Sequence, residues 1–124
     1  MTTKYTNDHE WARQDGDTIT VGITDFAQSQ LGEVVFVELP DVGKEVSQGE
    51  EAAVVESVKA AGEVKAPIGG TIVEVNEALA DEPEQVNEDP SGKGWFYKIQ
   101  PNDDSQYVAL MDEDSYQSMV ADLA

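Results

Sequence analysis

The chain of 124 residues has about the length of one domain, and its 40% hydrophobic content is enough for a packed core. It carries 26 acidic and 7 basic residues, a formal net charge of −19, which makes nucleic acid and anionic membranes poor partners. Cysteine is absent, so disulfides, thiolate nucleophiles and Cys-ligated metals are excluded. We find neither a membrane-spanning apolar run nor a signal or transit peptide, and expect a cytoplasmic protein, or a mitochondrial matrix protein only for a processed eukaryotic chain.

Three elements are predicted in the first third of the chain. Asp17–Gly22 alternates in polarity and predicts a strand. A short helix should follow, with Thr24 as its N-cap and Gly32 at its exit, where positive φ is tolerated. Glu33–Leu39 is rich in β-branched residues and predicts a strand that Pro40 ends.

The remainder of the chain predicts more strands and one helix. Glycine-punctuated turns over 42–50 and 67–70 enclose two short strands that flank Lys59. Strands are then expected over Thr71–Val75 and Gly94–Ile99. The tail over 112–123 predicts an amphipathic helix, and its apolar stripe should pack against the sheet; the stripe consists of Tyr116, Met119, Val120 and Leu123.

An internal similarity indicates how the strands are arranged. Gly32–Val37 resembles Gly70–Val75, and each is followed by an acidic loop that returns through a valine, Val46 or Val86. Two similar halves on either side of Lys59 favour a flattened barrel or sandwich with pseudo-two-fold symmetry.

Ordinary catalytic and metal-binding patterns do not emerge. His9 is the only histidine, and an extended segment would place it with Trp11 on one face and Glu10 on the other. It is either a structural or cleft-lining residue or a general base, and no nucleophile lies near it in sequence. The acidic clusters lack the spacing of a calcium loop and indicate a solvated surface. No catalytic residue and no metal ligand is therefore predicted.

Lys59 stands out by its surroundings. If its flanking strands pair, Ser57–Ala60 forms the bend and Lys59 projects from the tip of a rigid hairpin. The small residues over 60–62 leave room for another protein to approach the ε-amine, as an enzyme that acylates one chosen lysine requires. Lys65 is a possible competitor, but it lies within the returning strand.

The segment Val54–Ala60, "VVESVKA", resembles the lipoylation site of the glycine cleavage system H protein family. Further segments resemble that family in order along nearly the whole chain: Tyr5–Trp11, Val21–Gln28, Leu31–Pro40, Val73–Leu79, Val86–Pro90 and Gly94–Trp95. The chain departs from the common pattern at Gln30, Lys65 and Ser91, and none of these positions is the attachment lysine.

The resemblance implies a mostly-β fold, a lipoyl/biotinyl-type flattened barrel (a barrel-sandwich hybrid) of two antiparallel sheets with short helices and a C-terminal helix. It implies one carrier domain over 1–124, with its core at about 17–100 and its helix at about 112–123. Lys59 would carry lipoic acid in amide linkage. The cleft that shields the loaded arm would be lined by Glu10, Ile23, Leu31, Ala60 and Glu63.

The function implied is that of a carrier without catalytic activity of its own. It would move an aminomethyl group from glycine decarboxylase (P protein) to the tetrahydrofolate-dependent aminomethyltransferase (T protein). It would then present dihydrolipoyl to dihydrolipoyl dehydrogenase (L protein), and a lipoate-attaching enzyme would modify it.

Four alternatives to this interpretation differ in their support. A biotin carrier normally places its lysine between methionines, whereas Lys59 lies between Val58 and Ala60. A lipoyl domain of a 2-oxoacid dehydrogenase usually has Asp before the lysine and belongs to a longer chain. A lipoyl relay protein that donates lipoate to other enzymes would use the same lysine and remains open. A plain interaction module would have no reason to keep this lysine context.

Overall fold

The computed structural model describes residues 3–123. Its elements follow one another in chain order: β1 (Thr3–Tyr5), β2 (Glu10–Asp15), β3 (Thr18–Ile23), α1 (Asp25–Leu31), β4 (Val34–Glu38), β5 (Glu45–Val46), β6 (Glu51–Ser57), β7 (Ala61–Lys65), β8 (Gly70–Val75), α2 (Ala78–Asp81), α3 (Gln85–Glu88), β9 (Tyr97–Pro101), α4 (Asp104–Val108) and α5 (Glu113–Leu123).

The strands form two antiparallel sheets. One has the order β1-β2-β3-β9-β8-β5, and the other has the order β4-β6-β7. Val34, Val37 and Val55 of the smaller sheet join Val21 and Ile99 of the larger one in a single buried cluster. Each such side chain contributes about 1.5–3 kcal/mol when fully buried. The predicted mostly-β architecture of two antiparallel sheets is confirmed.

Helix α1 begins and ends where the sequence predicts. The Thr24 side chain accepts a hydrogen bond from the Ala27 N–H, and the Gly32 N–H donates to the Gln28 carbonyl. Gly32 has φ 81° and ψ −157°, a backbone conformation that is almost restricted to glycine. The chain therefore leaves α1 in a direction that only a glycine permits without strain.

The internal similarity holds for the strands but not for the loops that follow them. The two similar segments become β4 and β8, one in each sheet. Val46 lies in strand β5, whereas Val86 is buried in helix α3, so the two returning loops are not equivalent.

Two terminal predictions need correction. The last strand begins at Tyr97 and not at Gly94, because the Gly94 and Trp95 N–H groups bond back to the Asp89 and Gly92 carbonyls in a turn. Helix α5 forms as predicted and buries Tyr116, but Leu123 at its end is 58% exposed. Of the helices described between Thr3 and Leu123, none has the length and apolar character needed to cross a membrane.

Candidate functional site

Lys59 lies at the tip of the hairpin formed by β6 and β7, as the sequence predicts. The Ser57 N–H donates to the Ala60 carbonyl at 2.8 Å, and the Ser57 hydroxyl accepts from the Ala60 N–H at 3.1 Å. The Val58 N–H donates to the Glu33 carbonyl at 3.0 Å, which ties the tip to the start of β4. Lys59 is exposed and, within residues 3–123, its ammonium has no ion pair. The hairpin thus holds an accessible amine at a fixed position.

The aliphatic part of Lys59 lies over Gly32. A Cβ atom at Gly32 would stand 3.3 Å from the Lys59 Cε atom, closer than most real contacts. Asn87 holds this glycine in place, since its amide group donates to the Gly32 carbonyl at 2.8 Å while its oxygen accepts from the Val34 N–H at 2.8 Å. The exit of α1 therefore forms a floor beneath the base of the lysine side chain.

A cavity of about 310 Å³ opens between strand β7 and helix α1. Two of its lining residues, Gly62 of β7 and Leu31 of α1, face each other, and Leu31 directly precedes the Gly32 that lies under Lys59. Its volume is at the lower end of the range of small-molecule sites. The lining residues are Asp8, His9, Glu10, Ile23, Phe26, Ala27, Gln30, Leu31, Val55, Gly62 and Glu63.

Four of the five residues expected from the family resemblance lie together in this cavity: Glu10, Ile23, Leu31 and Glu63. The fifth, Ala60, is exposed at the hairpin tip and is not part of the lining. Sequence reasoning missed Asp8, Phe26 and Val55, which the fold brings to the cavity from separate elements. Alternation within β6 was the available signal for Val55, whereas no local pattern marks Asp8 or Phe26 as cavity residues.

Glu10 is the buried acid of the cavity, with only 3% of its surface exposed. The Thr6 hydroxyl donates to its carboxylate at 2.6 Å, and the Glu10 N–H donates to the same hydroxyl at 3.1 Å. Burial raises the pKa of the Glu10 carboxyl to about 7, against an ordinary 4.5. The hydrogen bond from Thr6 opposes this rise in pKa, the charge of Asp8 adds to it, and Lys65 opposes it. The Glu10 carboxyl therefore keeps its proton to a much higher pH than an exposed glutamate does.

Glu63, another acid of the cavity lining, is hydrogen-bonded to a carboxyl group on the neighbouring strand. Glu63 is exposed on β7, and its hydrogen bond with Glu51 of β6 raises the pKa of the Glu63 carboxyl. With Asp8 and Glu10, Glu63 gives the cavity lining three acidic side chains beside its apolar ones. Such a lining suits a ligand that combines an alkyl chain with a cationic group.

His9 does not occupy the extended conformation considered for it in the sequence. Its φ is 70°, and β2 starts only at the following residue. Glu10 and Trp11 are both buried, so the expected alternation between two faces is absent at this end of the strand. The His9 Nδ1 atom lies 2.8 Å from the Tyr116 hydroxyl, and its ring contacts Phe26 at a centroid distance of 4.7 Å. His9 is a cavity-lining residue anchored by the C-terminal helix.

Metal binding has no support in the part of the chain that the structure describes. Between Thr3 and Leu123, no group of three or more His, Asp or Glu side chains is arranged to hold a metal ion. The two ion pairs of this region, Lys44–Glu50 and Lys98–Glu74, lie on partly exposed side chains and involve no residue of the cavity.

Comparisons with known proteins agree on one family. The family model described as "Glycine cleavage H-protein" matches residues 3–123. A glycine cleavage system H protein of Beijerinckia indica is 60% identical over 121 residues, covering 98% of each chain. One of Thermus thermophilus is 53% identical over 116 residues, covering 94% of this chain and 91% of the relative.

A solved structure extends the similarity to the fold. The crystal structure of a glycine cleavage system H protein from Mycobacterium marinum matches with a TM-score of 0.86 and 40% identity, and covers 97% of each chain. This match confirms the expected barrel-sandwich fold. The family model spans nearly every residue and the relatives are more than half identical, so the chain belongs to the glycine cleavage H-protein family.

Proposed function

We propose that this protein is the lipoyl-carrying subunit of a glycine cleavage system, with lipoic acid in amide linkage on Lys59. Membership of the glycine cleavage H-protein family supports a carrier role. The observation that carries the assignment to Lys59 is its exposed position at the tip of a hairpin whose turn is fixed by the Ser57 hydroxyl. Lys65, the alternative, lies within β7 and is half-buried, so it does not project from the hairpin tip.

The lipoyl group would supply the dithiolane chemistry that a chain without cysteine lacks. The protein's own residues would bind and shield it. Ile23, Leu31 and Val55 offer an apolar wall for an alkyl chain, and Glu10 offers a carboxylate for the ammonium of an aminomethyl group. Ala60 would contribute by leaving space beside Lys59 at the hairpin tip.

The chain would act as a non-catalytic carrier, and we assign residues 1–124 to one carrier domain. It would receive the aminomethyl group at glycine decarboxylase, present it to the aminomethyltransferase, and present dihydrolipoyl to dihydrolipoyl dehydrogenase. A lipoate-attaching enzyme would modify Lys59. The contribution of the carrier is a high effective concentration of a tethered group at successive active sites.

Mass spectrometry of protein purified from its own cells tests the attachment. We expect a single lipoyl adduct that maps to Lys59, is absent from a Lys59→Arg variant and is retained in a matched Lys65→Arg variant. An unmodified Lys59, in cells that lipoylate their other carriers, would contradict the proposal. A biotin adduct at Lys59 would contradict it as well.

The shielding role has a separate test in a Glu10→Gln variant, which keeps the shape of the side chain and removes its charge. We expect the loaded variant to lose its aminomethyl group to water faster than the loaded parent protein. Glu38→Gln, at an exposed position of β4 outside the cavity, is the control for loss of one negative charge. Equal lifetimes for the parent and Glu10→Gln would remove Glu10 from the proposal.

A further inference from the structure

The backbone at His9 is held in an unfavourable conformation directly before the buried acid of the cavity. Among residues 3–123, His9 is the one non-glycine residue with positive φ, at 70°. This left-handed conformation is unfavourable for a residue with a Cβ atom, and it persists only where neighbouring groups enforce it. The turn it makes sends the chain into β2, so it determines where Glu10 starts the strand.

Contacts from two other parts of the chain enforce this conformation. The His9 carbonyl accepts from the Thr24 N–H at 3.0 Å, next to helix α1. The His9 ring lies 2.8 Å from the Tyr116 hydroxyl of helix α5 and packs against Phe26 of α1. Burial lowers the pKa of His9, with the charge of Asp8 opposing, which favours the neutral ring.

The Tyr116 hydroxyl also contacts the residue that caps helix α1. It lies 2.6 Å from the Thr24 hydroxyl, which in turn accepts from the Ala27 N–H as the N-cap of α1. A single hydroxyl thus joins the His9 turn to the start of the helix that supplies Ala27 and Leu31 to the cavity. Tyr116 is 2% exposed, so water does not replace these bonds readily.

The ring and the hydroxyl of Tyr116 contact different parts of the chain. The ring stacks on Tyr5 of β1 with centroids 4.7 Å apart, and this stack attaches the helix to the edge of the larger sheet. The two short hydrogen bonds of the hydroxyl instead go to His9, which lines the cavity, and to Thr24, the N-cap of the helix that supplies Ala27 and Leu31 to it. The hydroxyl therefore has a role distinct from that of the ring.

We propose that Tyr116 is a positioning residue whose hydroxyl locks the His9 turn to the N-terminus of α1 and thereby fixes the position of Glu10 in the wall of the cavity. The relevance of this lock to shielding rests on the proposed carrier function. The two hydrogen bonds are present in the unmodified chain. Through them, the C-terminal helix determines how the His9 turn and helix α1 are placed relative to each other.

The test compares Tyr116→Phe with Tyr5→Phe in protein that carries no lipoyl group. The two variants remove one hydroxyl each from the same stacked pair, and the Tyr5 hydroxyl bonds to Glu113 rather than to the cavity. NMR titration of the Glu10 carboxyl is the main measurement. In Tyr116→Phe we expect its pKa to fall towards the ordinary value by about half a unit or more, because a looser turn admits water. In Tyr5→Phe it should stay unchanged.

Amide hydrogen exchange and a double-mutant cycle give independent readouts. The His9 and Glu10 amides should exchange about tenfold faster in Tyr116→Phe and not in Tyr5→Phe. His9→Gly removes both the backbone strain and the ring, so adding Tyr116→Phe to it should have little further effect on exchange. Additive effects of the two changes would overturn the proposal.

The outcomes separate this proposal from the carrier function. An unchanged Glu10 pKa in Tyr116→Phe, or equal changes in both tyrosine variants, overturns the positioning role even if Lys59 is lipoylated. A chain without lipoate at Lys59 overturns the carrier function, while the NMR experiment still decides the role of Tyr116. In lipoylated and loaded protein, Tyr116→Phe should also shorten the lifetime of the bound group several-fold.

Discussion

Replacing Glu10 by glutamine should change how the stability of the protein depends on pH. The carboxyl has a pKa of about 7 in the folded state and an ordinary pKa of 4.5 when unfolded, so between these values the folded state binds the proton more tightly. The stabilising effect of this proton is fully present below pH 4.5 and is lost as the pH rises through 7. A difference of 2.5 units corresponds to about 3 kcal/mol, most of which is lost between pH 5 and pH 8.

Urea unfolding of the parent protein and Glu10→Gln at pH 5 and pH 8 measures this effect. Glutamine has no titrating group and keeps a carbonyl for the Thr6 hydroxyl, so its stability should lack this particular dependence on pH. The repulsion among the other acids acts on both proteins and cancels in the difference. Glu38→Gln, which alters an exposed acid, should follow the parent. A stability difference between parent and Glu10→Gln that is the same at both pH values would refute the burial argument.

Three further predictions concern Gly32, Tyr97 and the acidic surface. Gly32→Ala should lower the free energy of unfolding by about 1–3 kcal/mol, and by more than Gly16→Ala, because Gly16 also has positive φ but open space around it. Equal losses in urea unfolding would contradict the crowding against Lys59. Tyr97→Phe should leave stability unchanged or raise it by about 1 kcal/mol, because the buried hydroxyl has no hydrogen-bond partner among residues 3–123. A clear loss of stability in Tyr97→Phe on thermal unfolding would contradict this prediction and show that the hydroxyl forms a hydrogen bond. With a net charge of −19, the carrier should dock more weakly to its enzymes as salt rises and the screening length falls from about 10 Å at 0.1 M to about 3 Å at 1 M. Turnover of the reconstituted system across a salt titration measures this, and a flat response would contradict it.

Local signals in the sequence were sufficient for the elements that hold Lys59. Thr24 and Gly32 mark the ends of α1 because a cap hydroxyl and a positive-φ glycine act within a few residues of chain. The two strands around Lys59 are joined by a bend at the expected position. This bend is also held by local contacts, between Ser57 and both Lys59 and Ala60. Resemblance to a known family added the cleft residues, four of which the fold brings to one cavity.

The conformation of His9 could not be predicted in this way. Tyr116, which anchors its ring, is 107 positions away in sequence, and nothing next to His9 indicates a left-handed turn. The start of strand β2 could not be predicted either. Glu10 is buried although glutamate is usually exposed, and this breaks the alternation of buried and exposed residues. Both features depend on contacts between distant segments, and both lie at the candidate site.

The buried Glu10 gives the proposed carrier a link between loading and stability. In the empty protein near neutral pH, ionising this carboxyl inside the cavity is unfavourable, and its pKa is correspondingly high. An ammonium held beside it would favour the ionised form and lower that pKa. Loading would therefore offset part of the cost of burying the charge. The offset would grow as the pH rises, because more of the empty protein then carries an ionised Glu10. A cation of this kind would thus stabilise the folded protein by the same interaction that retains the cation in the cavity.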